Sequence, residues 1–92
     1  MTGEIELAGA IAGLVAEKRA LGYKYVSEER ALARFEAFCA SEFPGLSTVT
    51  RASVQAWIAA ARGRAVKPAT VISLIAPVRE LARWFHRRGV DA

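Results

Sequence analysis

The chain has 92 residues, 53% of them apolar and 24% charged, with 13 lysines and arginines against nine acids for a formal charge of +4. That is the size of a single domain with one core, too apolar for a disordered tail and short for an enzyme that must build a cleft as well. Residues 1–50 carry five bases against seven acids, whereas residues 51–92 carry eight bases, seven of them arginine, against Glu80 and Asp91, so a net of −2 is followed by +6.

The first predicted helix covers residues 4–21, where Leu7, Ile11, Leu14, Val15 and Leu21 fall on one stripe. Acids in its first turn and Lys18-Arg19 in its last complement the helix dipole, and Gly22 stands where a C-terminal glycine belongs. Gly9 and Gly13 count against it at about 1 kcal/mol each relative to alanine, but the stripe and the end signals outweigh them. After Tyr23-Lys24-Tyr25-Val26, Ser27 is the expected cap of a second helix with Glu28 and Glu29 in its first turn. Leu32, Phe35, Phe38, Cys39 and Phe43 line one face, Arg30 and Arg34 lie a turn apart on another, and Pro44-Gly45 ends the segment.

Thr50 is the expected cap of a third helix with Val54, Trp57, Ile58 and Ala61 at i, i+3, i+4 and i+7, and Gly63 is the expected stop. The fourth segment opens on Pro68, a residue suited to a first helical position. It carries Val71, Leu74, Ile75, Val78, Leu81, Ala82 and Phe85 on one stripe and Arg79, Arg83 and Arg87 at i+4 spacing on another. Pro77 predicts a kink, or a division into 68–76 and 77–88. No strand-like alternation or repeat is visible, so the expectation is one all-α domain over residues 1–92, an orthogonal bundle of four helices, or five if Pro77 splits the last.

Little in the sequence supports catalysis. His86 is the only imidazole and reads as a surface residue at a helix end. Cys39 falls on an apolar face and reads as a buried structural thiol. The glycines form no phosphate-binding loop, and a lone cysteine allows no internal disulfide, which fits a reducing cytosol. Acids stand where an export signal would carry bases, and the apolar stretch behind them is broken at Glu17, so neither a signal peptide nor a membrane span is expected. No metal or cofactor is expected either. What remains is the basic second half, which points to a polyanion, nucleic acid ahead of a membrane. Arg62, Arg64 and Lys67 crowd one connection, with Thr70 and Ser73 a turn apart just beyond it at a helix start whose amides also favour anions. Such a cluster suits a helix entering a major groove, with the bases on phosphates and short hydroxyls near base edges. The plainer reading is a solvated basic face.

Several segments, in this order, resemble the N-terminal core-binding domain of tyrosine recombinases, the SAM-like domain of the phage integrase family. They are Arg-Ala-Leu-Gly-Tyr (19–23), Ala-Arg-Phe-Glu-Ala-Phe-Cys (33–39), Thr50 ahead of Val54 and Trp57, Pro-Ala-Thr (68–70), Val-Arg-Glu-Leu-Ala-Arg-Trp-Phe (78–85) and Arg-Arg-Gly-Val-Asp-Ala (87–92). The resemblance covers nearly the whole chain and rests on order and spacing. It implies a DNA-gripping half of a clamp, with the second and fourth helices in or across the major groove of a recombination site. A separate C-terminal domain, not contained in these residues, would cut and rejoin strands through a tyrosine.

Carried over by position, the resemblance places Lys24, Ser27, Arg30 and Arg34 on DNA from the second helix and Lys67, Thr70 and Ser73 from the fourth, beside Arg62 and Arg64. The chain departs from the family's pattern where Lys24 and Glu28 stand for a threonine and a tyrosine, where Ser73 stands for a basic residue near the first turn of the fourth helix, and at Pro77. Trp84, about 120° from the centre of the apolar stripe, is either a core residue at the bundle edge or a contact to the catalytic domain. The implied partners are duplex DNA, that domain and further recombinase protomers. The alternative is a helical protein-interaction module whose arginines only solubilise it.

Overall fold

The computed structural model describes residues 6–46, 48–64 and 67–88. They form α1 (Leu7–Ala20), α2 (Val26–Glu42), α3 (Arg51–Arg64) and α4 (Pro68–Arg87), an all-α bundle around one shared core. Among the described residues no helix is long and apolar enough to cross a membrane.

The stripe of α1 is buried at Leu7, Ala10, Ile11, Leu14 and Val15. Two expectations for this helix are corrected. It starts at Leu7, so Glu6 is the N-cap and no acid lies in the first turn, and Leu21 lies past its end, 74% exposed. Its terminus closes as a glycine cap: Gly22 takes φ +99°, its N–H donates to the Arg19 carbonyl, and the Tyr23 N–H donates to the Lys18 carbonyl.

The start of α2 is corrected too. The N-cap is Tyr25 rather than Ser27, and Tyr25 adopts a left-handed conformation (φ 55°, ψ 35°) that costs a non-glycine residue about 1–2 kcal/mol. Tertiary anchoring offsets that cost, because the ring is buried and the hydroxyl donates to Glu80 Oε1 at 3.0 Å. The cap of α3 is the expected one. Ser53 N–H donates to Thr50 Oγ1 (3.1 Å) and Thr50 N–H to Ser53 Oγ (3.0 Å), a reciprocal box with a fully buried serine in the usual place of glutamate. Gly63 does not stop this helix, which runs to Arg64.

Pro77 does not divide α4. The helix is continuous from Pro68 to Arg87, giving four helices rather than five, because Pro77 is itself buried among neighbours whose apolar burial outweighs the missing hydrogen bond. Phe35, Val78, Leu81 and Phe85 are fully buried at the centre. Trp57 stands edge-on to both Phe35 and Phe38 and its Nε1 donates to the Leu74 carbonyl at 2.7 Å, tying α3 to α4. The start of α2 meets the middle of α4 through Tyr25 and Glu80, while Phe38 and Leu74 line one cleft further along. The two helices therefore run in opposite senses.

Candidate nucleic-acid interface

At about 100° per residue, Ser27, Arg30, Arg34, Phe38 and Ser41 share one side of α2 and extend over about 21 Å at 1.5 Å per residue. The lower part of that stripe opens on a cleft of about 680 Å³ between α2, α3 and α4. Arg34 stands on its α2 wall and Arg64 on its α3 wall, with Phe38, Trp57 and Leu74 between them. Arginines from two helices thus face a partly aromatic floor.

All nine residues expected to contact DNA are exposed. The structure does not gather them in one place. Arg34 and Arg64 share the cleft, and Ser27 and Arg30 continue its α2 side. Arg62, two residues from Arg64 and therefore about 200° round the helix, lines a different depression with Arg79 and Arg83. Lys24 lies in the α1–α2 connection, where its carbonyl accepts from Arg19 Nε. Lys67 is the N-cap of α4, and its carbonyl accepts from the N–H groups of both Thr70 and Val71. Since Pro68 has no N–H, the start of α4 offers an anion few free amides, contrary to the expectation from its position. The Ser73 hydroxyl donates to the Ala69 carbonyl at 2.9 Å, so it is placed to accept a hydrogen bond from a base amino group rather than to donate to a phosphate.

The acids of the bundle select which cations remain available. Glu17 pairs with Arg87 and Arg88, Glu29 with Arg19, and Glu80 with Lys18. Among the described residues, none of Lys24, Arg30, Arg34, Arg51, Arg62, Arg64, Lys67, Arg79 and Arg83 forms an ion pair. The i+4 stripe of the last helix is thereby divided, Arg87 being bound to α1 and Arg79 and Arg83 left open.

Of the two readings of Trp84, the described residues fit the core residue at the bundle edge. It is buried, its Nε1 donates to Glu17 Oε2 at 2.7 Å, and Arg88 stacks on its face 3.7 Å from the ring centre. An edge-of-stripe position becomes a core position because α1 supplies both a carboxylate and a glycine surface against it.

Other reactive groups are structural in their surroundings. Burial pushes the Cys39 thiol up to about 11, so it stays protonated and is not a nucleophile. Burial and the hydrogen bond to Glu80 raise the Tyr25 phenol well above its usual range. Burial alone would raise Glu80, but hydrogen bonds from Lys18 and Tyr25 outweigh it and hold the carboxyl low. The Trp84 indole and then the two arginines do the same for Glu17. No group of three or more metal-ligating side chains occurs among the described residues.

Residue patterns alone did not pick out Phe38, Trp57 and Leu74 as the cleft floor, nor Arg79 and Arg83 as companions of Arg62. Neither a family model, nor a curated protein, nor a solved structure matches the chain. The class that fold and site define is a small all-α bundle with an arginine-walled cleft.

Proposed function

We propose that this bundle is the core-binding domain of a tyrosine recombinase, gripping duplex DNA from the face formed by α2, the end of α3 and the start of α4. The observation that carries the reading is the row of arginines without ion pairs, Arg30 and Arg34 on α2 with Arg64 opposite, on a bundle whose acids pair with Lys18, Arg19, Arg87 and Arg88 instead. The motif order along the chain supports the same family. In this reading Arg30, Arg34 and Arg64, with Lys24 and Lys67 at the margins, hold phosphates, while Ser27, Thr70 and Ser73 lie near base edges. Strand cleavage and rejoining belong to a separate catalytic domain acting in the cytoplasm alongside further protomers.

The test is a titration of the chain against a mixed-sequence DNA duplex at several salt concentrations. Five phosphate contacts give a slope of log K against log salt of about −4 to −5, and Arg34→Ala flattens it by about one unit. Binding indifferent to salt, no binding at low salt, or full affinity after Arg30, Arg34 and Arg64 are all changed to glutamate refutes the proposal.

A further inference from the structure

The second depression, about 330 Å³ between the end of α3 and the outer side of α4, differs in character from the cleft. Arg62, Arg79 and Arg83 surround a floor of Val71, Ile72 and Ile75. Ile72 is 64% exposed, one of the few large apolar side chains that the bundle leaves in water. Arg79 and Arg83 stand one turn apart, a like-charge spacing that weakens a helix unless an anion joins them. Glu80 is near enough for Arg83 to lower its pKa, but its carboxylate is already engaged by Lys18 and Tyr25. An exposed isoleucine gives nothing to a phosphate backbone, whereas a ring of arginines gives nothing to a purely apolar partner. Both together match a ligand that presents carboxylates around one large apolar side chain.

We propose that this depression docks a short acidic segment of a partner protein, with a leucine-sized side chain over Ile72 and flanking Asp or Glu side chains on Arg62, Arg79 and Arg83. The surface lies apart from the Arg34–Arg64 cleft and does not depend on DNA binding there.

The probe is a fluorescent peptide of alternating acids with central leucines, followed by anisotropy at low salt beside a charge-matched peptide with serine for leucine and a DNA duplex. The leucine peptide is expected to bind at least fivefold more tightly than the serine peptide. Ile72→Ser is expected to remove that difference while leaving duplex affinity unchanged, and Arg79→Glu with Arg83→Glu to abolish peptide binding. Charge reversal at Arg30, Arg34 and Arg64 is expected to leave the peptide bound, which separates this site from the cleft. Circular dichroism confirms that each variant folds, as the exposure of these positions leads one to expect. Absence of peptide binding, equal affinity for the two peptides, or no effect of Ile72→Ser overturns the proposal. A loss of duplex binding equal to the loss of peptide binding in Ile72→Ser also overturns it and assigns the surface to nucleic acid.

Discussion

Alanine in place of Gly13 isolates a contact that helix propensity would misjudge. In an ordinary helix interior the change stabilises by about 1 kcal/mol, because glycine loses more backbone freedom on folding. Here a Cβ built on Gly13 lies 2.8 Å from Trp84 Cζ2, far inside van der Waals contact. The far end of a loose side chain would swing away at little cost, but this indole is only 4% exposed, hydrogen-bonded to Glu17 at 2.7 Å and covered by Arg88. Moving it lengthens the indole hydrogen bond and disturbs the edge-on packing against Phe85 at 5.6 Å. Overpacking of a fixed core costs about 1–3 kcal/mol, which cancels or exceeds the propensity gain.

Gly9, four residues earlier on the same helix, has nothing within 4 Å of the same construction and serves as the control. Gly9→Ala is expected to raise stability by about 0.5–1 kcal/mol and Gly13→Ala to lower it by about 1 kcal/mol. At about 4–8 °C per kcal/mol for a domain of this size, the two melting temperatures separate by about 6–16 °C. Thermal melts and urea titrations followed by circular dichroism read the difference. Trp84→Phe removes the atom that clashes, so in that background Gly13→Ala loses its penalty and a double-mutant cycle shows the coupling. If Gly13→Ala stabilises as much as Gly9→Ala, the seating of Trp84 on α1 is wrong.

Other features carry shorter predictions. Thr50→Ala removes the acceptor for the Ser53 N–H and is expected to cost about 1 kcal/mol of stability, read from urea titrations, with Thr50→Ser retaining most of the stability. Glu17 and Glu80 both titrate below the ordinary 4.5, so the unfolded chain binds their protons more readily. Their contribution is fully present above that pH and is lost as pH falls through the lowered folded values. Acid titration of stability is therefore expected to fall off below pH 4.5, and Glu17→Gln to make that limb shallower. Cys39, buried and with its pKa near 11, is expected to resist maleimide at mildly alkaline pH in the native chain and to react once urea unfolds it. Rapid native labelling would contradict its position in the core.

The four helices are legible in the sequence because each carries its apolar residues at a 3.6-residue period, and because Gly22, Thr50 and Pro68 mark ends by local chemistry that needs no tertiary partner. Where the reading fails, the deciding partner lies far along the chain. Ser27 is a good local cap, but Tyr25 is anchored to a glutamate 55 residues away and moves the helix start. Pro77 is a strong local breaker, and burial in the centre of the bundle overrides it. Trp84 sits off the centre of its stripe, which left core and contact readings both open, and α1, with Glu17 67 residues away, supplies the partner that makes the position core. Of the candidate site, Arg30 and Arg34 on one face follow from their i+4 spacing. The separation of Arg62 from Arg64 was not legible, because Gly63 reads as a stop between them; once α3 continues through it, residues two apart point in nearly opposite directions.

That separation bears on how a strongly basic half-chain becomes selective. Five Coulombically similar arginines in one patch would bind any polyanion, with an affinity set by salt alone. The bundle instead uses acids of α1 and α4 to quench Lys18, Arg87 and Arg88, and it divides Arg34 and Arg64 from Arg62, Arg79 and Arg83 between two surfaces of different floor. One floor is partly aromatic and edged by Ser41 and Glu42, with Arg34 on its α2 wall and Arg64 on its α3 wall, and one is aliphatic and open, with three arginines at its rim. Arginines on two walls suit the phosphates of a duplex, while an aliphatic floor rewards only a ligand with an apolar side chain to bury. Charge reversal at Arg34 and Arg64 should therefore change duplex affinity without changing peptide affinity, and reversal at Arg79 and Arg83 should weaken the peptide far more than the duplex. A single surface in which every arginine contributes alike to both ligands would show equal losses in all four measurements, and that result would leave the division between the two faces without physical meaning.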